Sequence, residues 1–172
     1  MATTVTLKPN AVDLSGSTSG TTTLQATAVA GTTTVTLPAA TDTLVGKATT
    51  DTLTNKTLTN PTVTNYVETV QAIGTVGASS TLALTNGTVL TATLTASTAC
   101  TFTMPTATAG KSFVLLLKQA AATGNGTATF TSVKWGTAGA PTITATAGKM
   151  DILTFIADGT NWYGSAVQGY TP

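Results

Sequence analysis

The chain has 172 residues, enough for one ordinary domain or for a small domain with an extended arm. Seven lysines against six carboxylates leave a formal charge of +1; arginine and histidine are absent, and only 8% of residues are charged, against roughly 25% in an average soluble domain. That balance excludes the basic footprint of a nucleic-acid binder, the lysine clusters that read an acidic membrane, and every histidine-based metal or catalytic site.

Threonine fills about a quarter of the chain, with alanine and glycine supplying much of the rest. Branched side chains suit a pleated surface, and the prevailing pattern is alternation punctuated by Gly, Pro, Asn and Asp, so an all-β fold is expected. The opening MATTVTLKPN lacks the basic and apolar regions of a signal peptide, which makes the cytoplasm the expected place of synthesis. The longest apolar run, Phe113 to Leu117, is far short of the roughly 20 residues that span a bilayer.

In chain order, strands are expected near 3–7, 22–30 and 32–37, with the loop DLSGSTSG between the first two. Together 1–47 form an N-terminal β module. Residues 48–66 are expected as an arm or linker, because 52–66 read TLTNK TLTNP TVTNY, three copies of one five-residue unit. Each unit offers one large aliphatic side chain, Leu53, Leu58 or Val63, and so cannot bury enough surface to fold alone. As a continuous extended strand it would put Leu53 and Val63 on one face and Leu58 on the other. A pentapeptide-repeat helix fails, since threonine precedes the leucine and the units are too few.

Residues 67–172 hold the large apolar residues and are expected to form the packed body. Strand candidates lie at 67–73, 81–85, 88–95, 99–104, 112–118, 127–135, 142–146, 149–157 and 161–167. Asn86-Gly87, Asn125-Gly126 and Asp158-Gly159 have the chemistry of tight hairpins. The run SFVLLLK reads as a central strand buried on both faces. The expected architecture is an antiparallel β-sandwich of jelly-roll type. A weak echo between TVTLPAATDTLVGK (34–47) and TFTMPTATAGK (101–111) is as well explained by chance in so threonine-rich a chain.

Candidate chemistry is sparse. ATAGKS (107–112) looks like the end of a phosphate-binding loop, but Pro105 stands where glycine is required and a strand follows in place of a helix. The carboxylates Asp13, Asp42, Asp51, Glu68, Asp151 and Asp158 fall mostly in turns and connecting segments, with Asp151 opening an apolar strand as an edge residue or a lysine partner. The single Cys100 sits in alternating ACTFTM and reads as a small buried hydrophobe. Three Asn-x-Thr matches are expected by composition alone. No catalytic, metal or cofactor site is expected. Trp162, Tyr163 and Tyr170 form an aromatic cluster that suits core or interface packing, or a sugar-stacking platform.

The stretch from about 15 to 66, SGSTSGTTTLQATAVAGTTTVTLPAATDTLVGKATTDTLTNKTLTNPT, resembles a module of virion proteins from tailed bacteriophages, with DTLTNKTLTNPT its most specific part. KMDILTFIADGTNWYGSAVQGY is similar to the terminal hairpin of phage fibre and decoration domains. The resemblance implies a non-enzymatic structural protein on the virion surface, an intertwined homotrimer attached to capsid or tail. The short length favours a decoration (cement) protein that contacts the major capsid protein, with Leu53, Leu58, Val63 and Tyr66 as assembly residues. The alternative is a short fibre or adhesin that binds host glycan through the C-terminal domain; a glycan-cleaving enzyme is remote.

Overall fold

The computed structural model describes residues 5–8, 11–15, 18–25, 52–54 and 56–172, and single positions at 32, 34, 39, 45, 48 and 50. The chain divides into two compact units, Met1–Thr59 and Asn60–Pro172. The boundary falls inside the pentad repeat. Every regular element among the described residues is a β-strand.

The first unit holds an antiparallel meander of β1 (Val5–Lys8), β2 (Ala11–Ser15) and β3 (Thr21–Gln25). Strand β2 occupies part of the stretch expected as a loop. Its alternating Val12 and Leu14 pair with Leu24 and Thr22 across the ladder. Opposite each other, Asp13 accepts a hydrogen bond from the Thr23 hydroxyl at 2.8 Å. All of β3 is exposed, Leu24 included. The strand expected at 32–37, and with it the 34–47 echo, lies largely outside the described residues.

In the second unit, β4 (Val70–Val76), β6 (Val89–Leu94), β8 (Ser112–Lys118), β11 (Met150–Ala157), β12 (Trp162–Tyr170) and β10 (Val133–Trp135) form a six-stranded sheet in the order β10-β12-β11-β8-β6-β4. A three-stranded sheet has the order β5-β7-β9, from β5 (Ser79–Thr81), β7 (Ala99–Thr103) and β9 (Thr127–Phe130). From β4 to β9 the chain alternates between the sheets, one strand in each. Consequently β4, β6 and β8 are parallel neighbours, as are β5, β7 and β9. This is solenoid-like stacking, in which each pass around the core lies on the last. The antiparallel hairpin β11–β12 then covers β8, and β10 joins β12 in parallel.

The expected antiparallel jelly-roll sandwich is thereby corrected. In this second unit antiparallel pairing is confined to β8–β11 and β11–β12. The reason lies in the connections. Asn125 takes the left-handed conformation (φ 60°) that Asn-Gly chemistry suggests, yet it carries the chain from β8 across to β9 in the other sheet. Gly87 is fixed by space: a Cβ there would lie 2.0 Å from the Thr69 carbonyl oxygen. Of the expected hairpins, only Asp158-Gly159 joins adjacent antiparallel strands. The single strand expected at 127–135 breaks at Ser132 (φ 57°), sending β9 and β10 to different sheets.

Stacking places like on like. Inside the large sheet, Leu90, Leu115 and Leu153 stand in register, with Ala92 beside Leu117 and Phe113 beside Phe155. Phe102 stacks on Phe130 in the small sheet at 5.2 Å between ring centroids, and Phe130 meets Phe155 of the facing sheet at 5.4 Å. Cys100 is buried in this core, and burial pushes its thiol pKa up. Strand β8 is central, but its outward residues Val114 and Leu116 are only half-buried, so it is not covered on both faces as expected.

Two buried polar side chains replace the strand expected at 142–146. The Gln119 amide donates to the carbonyls of Gly126 and Thr144, each at 2.8 Å, and its oxygen accepts from the Gly126 N–H at 3.0 Å. The Asp151 carboxylate, expected at an edge or beside a lysine, is buried and accepts from the backbone N–H of Thr144 (2.7 Å) and Gly169 (2.9 Å). These bonds fasten an irregular segment that carries buried Ile143. Asp151→Ala leaves both N–H groups without an acceptor and should cost about 2–5 kcal/mol in urea unfolding, with Asp151→Asn losing less.

Candidate assembly surface

The pentad repeat is not a continuous strand. Asn60 (φ 50°) and Asn65 (φ 56°) both adopt the left-handed conformation that asparagine tolerates, giving a bend at the same position of successive units. The strand alternation expected for Leu53, Leu58 and Val63 therefore does not set their relative directions. All three are about half exposed or more, at 50%, 59% and 58%, and Tyr66 is exposed as well. The Tyr66 hydroxyl reaches the Glu68 carboxylate at 3.4 Å, and Glu68 accepts from the Thr88 hydroxyl. Thus the exit of the arm is tied to the start of β6.

A second exposed apolar surface was not foreseen from the sequence. Outward residues of the six-stranded sheet are in register, as the inward ones are. One row runs Val70, Val89, Val114, Thr154, Ser165. The next runs Ala72, Thr91, Leu116, Ile152, Val167. Ile156 and Tyr163 sit together at one end. Val70, Ile156, Tyr163 and Val167 are exposed. A contiguous apolar face of this kind on a folded body marks an interaction site. The signal was present in the alternation of SFVLLLK and MDILTFIA, whose two faces are both apolar.

Two grooves lie on this face. One, of about 500 Å³, has Val114, Ile156 and Tyr163 as apolar walls and Thr88, Thr154 and Ser165 as hydroxyl donors. The other, of about 470 Å³, lies against Ala72, Leu116 and Met150, with Lys118 at its margin.

The aromatic trio separates. Trp162 is 1% exposed, donates its indole N–H to the Pro105 carbonyl at 2.7 Å, and packs edge-on against Phe113. It is a core residue, and no sugar can stack on it. Tyr163, the next residue along the strand, faces outward into the first groove, and Tyr170 is exposed near the far end of β12. The Tyr163 hydroxyl donates to Asp158 at 2.9 Å. That carboxylate also accepts from the N–H groups of Asn161 and Thr160, at 2.7 and 2.8 Å. These backbone bonds, with the Tyr163 bond, lower its pKa to about 2. The adjacent carboxylate raises the Tyr163 pKa in turn.

Among the described residues no three Cys, Asp or Glu side chains gather closely enough to hold a metal ion, and no helix is long and apolar enough to cross a membrane. Compared with family models, curated proteins and solved structures, the chain matches none.

Asp158 gives this surface a pH signature. Its folded pKa lies below the ordinary 3.8, so its contribution to stability is present above about pH 4 and is lost as pH falls through about 2. Unfolding followed by the fluorescence of buried Trp162 should show this loss, and Asp158→Ala should flatten the stability curve over that interval.

Proposed function

We propose that this chain is a non-enzymatic virion protein of a tailed bacteriophage, made in the host cytoplasm and displayed on the capsid surface. It acts as a decoration (cement) protein that binds the assembled head shell, through the major capsid protein, as an intertwined homotrimer. The observation that carries this reading is the arm of residues 48–66, whose Leu53, Leu58, Val63 and Tyr66 side chains stay exposed in an isolated chain. An apolar side chain offered once per bend has no use in a monomer. It has one where other surfaces supply the burial. The body supports the same reading: a stacked surface poor in charge, with threonine outward on the small sheet and apolar side chains outward on the large one, binds through shape and close packing.

One observation favours a second reading. Tyr163 stands over a groove lined by hydroxyls, an arrangement that suits a neutral sugar ring. On this reading the chain is a short fibre or adhesin, and host glycan is the ligand. Binding on a glycan array that is lost in Tyr163→Ala would favour it over the cement role.

Particles lacking the protein provide the test. The full chain should bind expanded head shells, while a chain lacking residues 1–66, or a full chain carrying Leu58→Asp and Val63→Asp, should not. Undiminished binding by both variants would remove the arm from the proposal.

A further inference from the structure

We infer that the outer face of the six-stranded sheet is the surface on which copies of this chain meet, with the Glu68 end of one face set against the Lys118 end of the next. The inference rests on the homotrimer reading above and names its contact.

The extent of the face fits. Five strands, β4, β6, β8, β11 and β12, run side by side for about seven residues. At ~4.8 Å between strands and ~3.3 Å per residue, they present roughly 500 Å² per copy. Turned inward about one axis, three such faces bury about 1,500 Å² in all, or about 500 Å² per pairwise contact, so the three contacts hold together as one closed assembly. The centre of each face is Val114, Leu116 and Ile152, already half-buried and free of charge. Interface cores have this composition.

Charge gives the direction. The registers place Glu68, Lys111 and the Asp158 turn at one end of the strands, where β4, β6 and β8 begin. Lys118 and Lys149 lie at the other, where β8 ends and β11 begins. One end is therefore net negative and the other carries two lysines. Joining like ends would bring the lysines together in a contact that excludes water, whereas joining opposite ends pairs them with carboxylates. The two grooves also lie toward opposite ends, the first beside Glu68 and the second beside Lys118. Each thus faces its counterpart's margin when unlike ends meet. Three copies arranged about an axis along the stacking direction, the number the homotrimer reading supplies, satisfy this at every contact.

Native mass spectrometry of the full chain at about 20 µM tests the proposal without any virion. Three copies are expected. Ile156→Lys and Val167→Lys, which place a charge at exposed outward positions, should each shift the protein to monomer while Trp162 fluorescence stays native. Glu68→Lys and Lys118→Glu should each weaken association at least tenfold, and the double variant, which exchanges the ends, should recover most of it. A monomeric full chain overturns the inference, as does an assembly indifferent to Ile156→Lys and Val167→Lys. A two-copy species overturns the three-copy arrangement, and single charge reversals no worse than the double overturn the pairing of unlike ends. Failure of the cement role would instead appear as a trimer that does not bind head shells.

Discussion

The C-terminal body depends on one constraint: strands that alternate between two sheets must stack in register. Because Val70, Val89 and Val114 are successive rungs of one parallel ladder, each pass of the chain sets the position of the next. The column Leu90–Leu115–Leu153 and the stacked pair Phe102–Phe130 follow from it, and Phe130 against Phe155 joins the two sheets. Stacking alone would leave an open end beyond β8. The hairpin β11–β12 closes that end, and Trp162 anchors the hairpin to the Pro105 carbonyl. Gly164 belongs to the same closure, since a Cβ there would collide with the Trp135 ring at 2.6 Å.

The same register shapes the surface. A parallel stack aligns like residues inside and outside alike, so an apolar column within is accompanied by rows without. On the small sheet the outward row is threonine, where the Thr129 hydroxyl bonds Thr101 at 3.2 Å and keeps the face wet. On the large sheet the outward rows are mostly valine, leucine and isoleucine, with Ala72, Thr91, Thr154 and Ser165 among them. Charge does not relieve this, because the chain has little of it. The exposed apolar face is thus a consequence of how the core is built, combined with a composition that leaves few charged residues to interrupt it.

Much of the local structure was legible in the sequence, and the pairing was not. Ser112–Lys118 and the hairpin at Asp158-Gly159 follow directly from apolar runs and turn chemistry. Alternation specifies a strand's two faces, but it does not say whether the next strand returns beside it or crosses to the facing sheet. Asn125-Gly126 makes a turn in either case. Thr144 illustrates a second blind spot: its segment looks like a strand, yet its N–H and C=O go to Asp151 and Gln119 side chains. The aromatic cluster divided on parity. Trp162 and Tyr163 are adjacent, so a strand must turn one in and one out, and only the register with Ala157 fixes which.

The two exposed apolar features differ in what association costs them. The pentad arm, bent at Asn60 and Asn65, offers one aliphatic side chain per unit, and ordering a segment on a partner costs roughly 1–2 kcal/mol per residue. The sheet face is ordered before any partner arrives, so its burial is offset by little beyond the loss of rigid-body freedom. A rigid face suits the contact that defines the oligomer. An arm suits reach, wrapping a partner whose surface supplies the burial the repeat lacks. On the assembly proposed above, that division gives the face to sister copies and the arm to whatever the sisters are assembled upon.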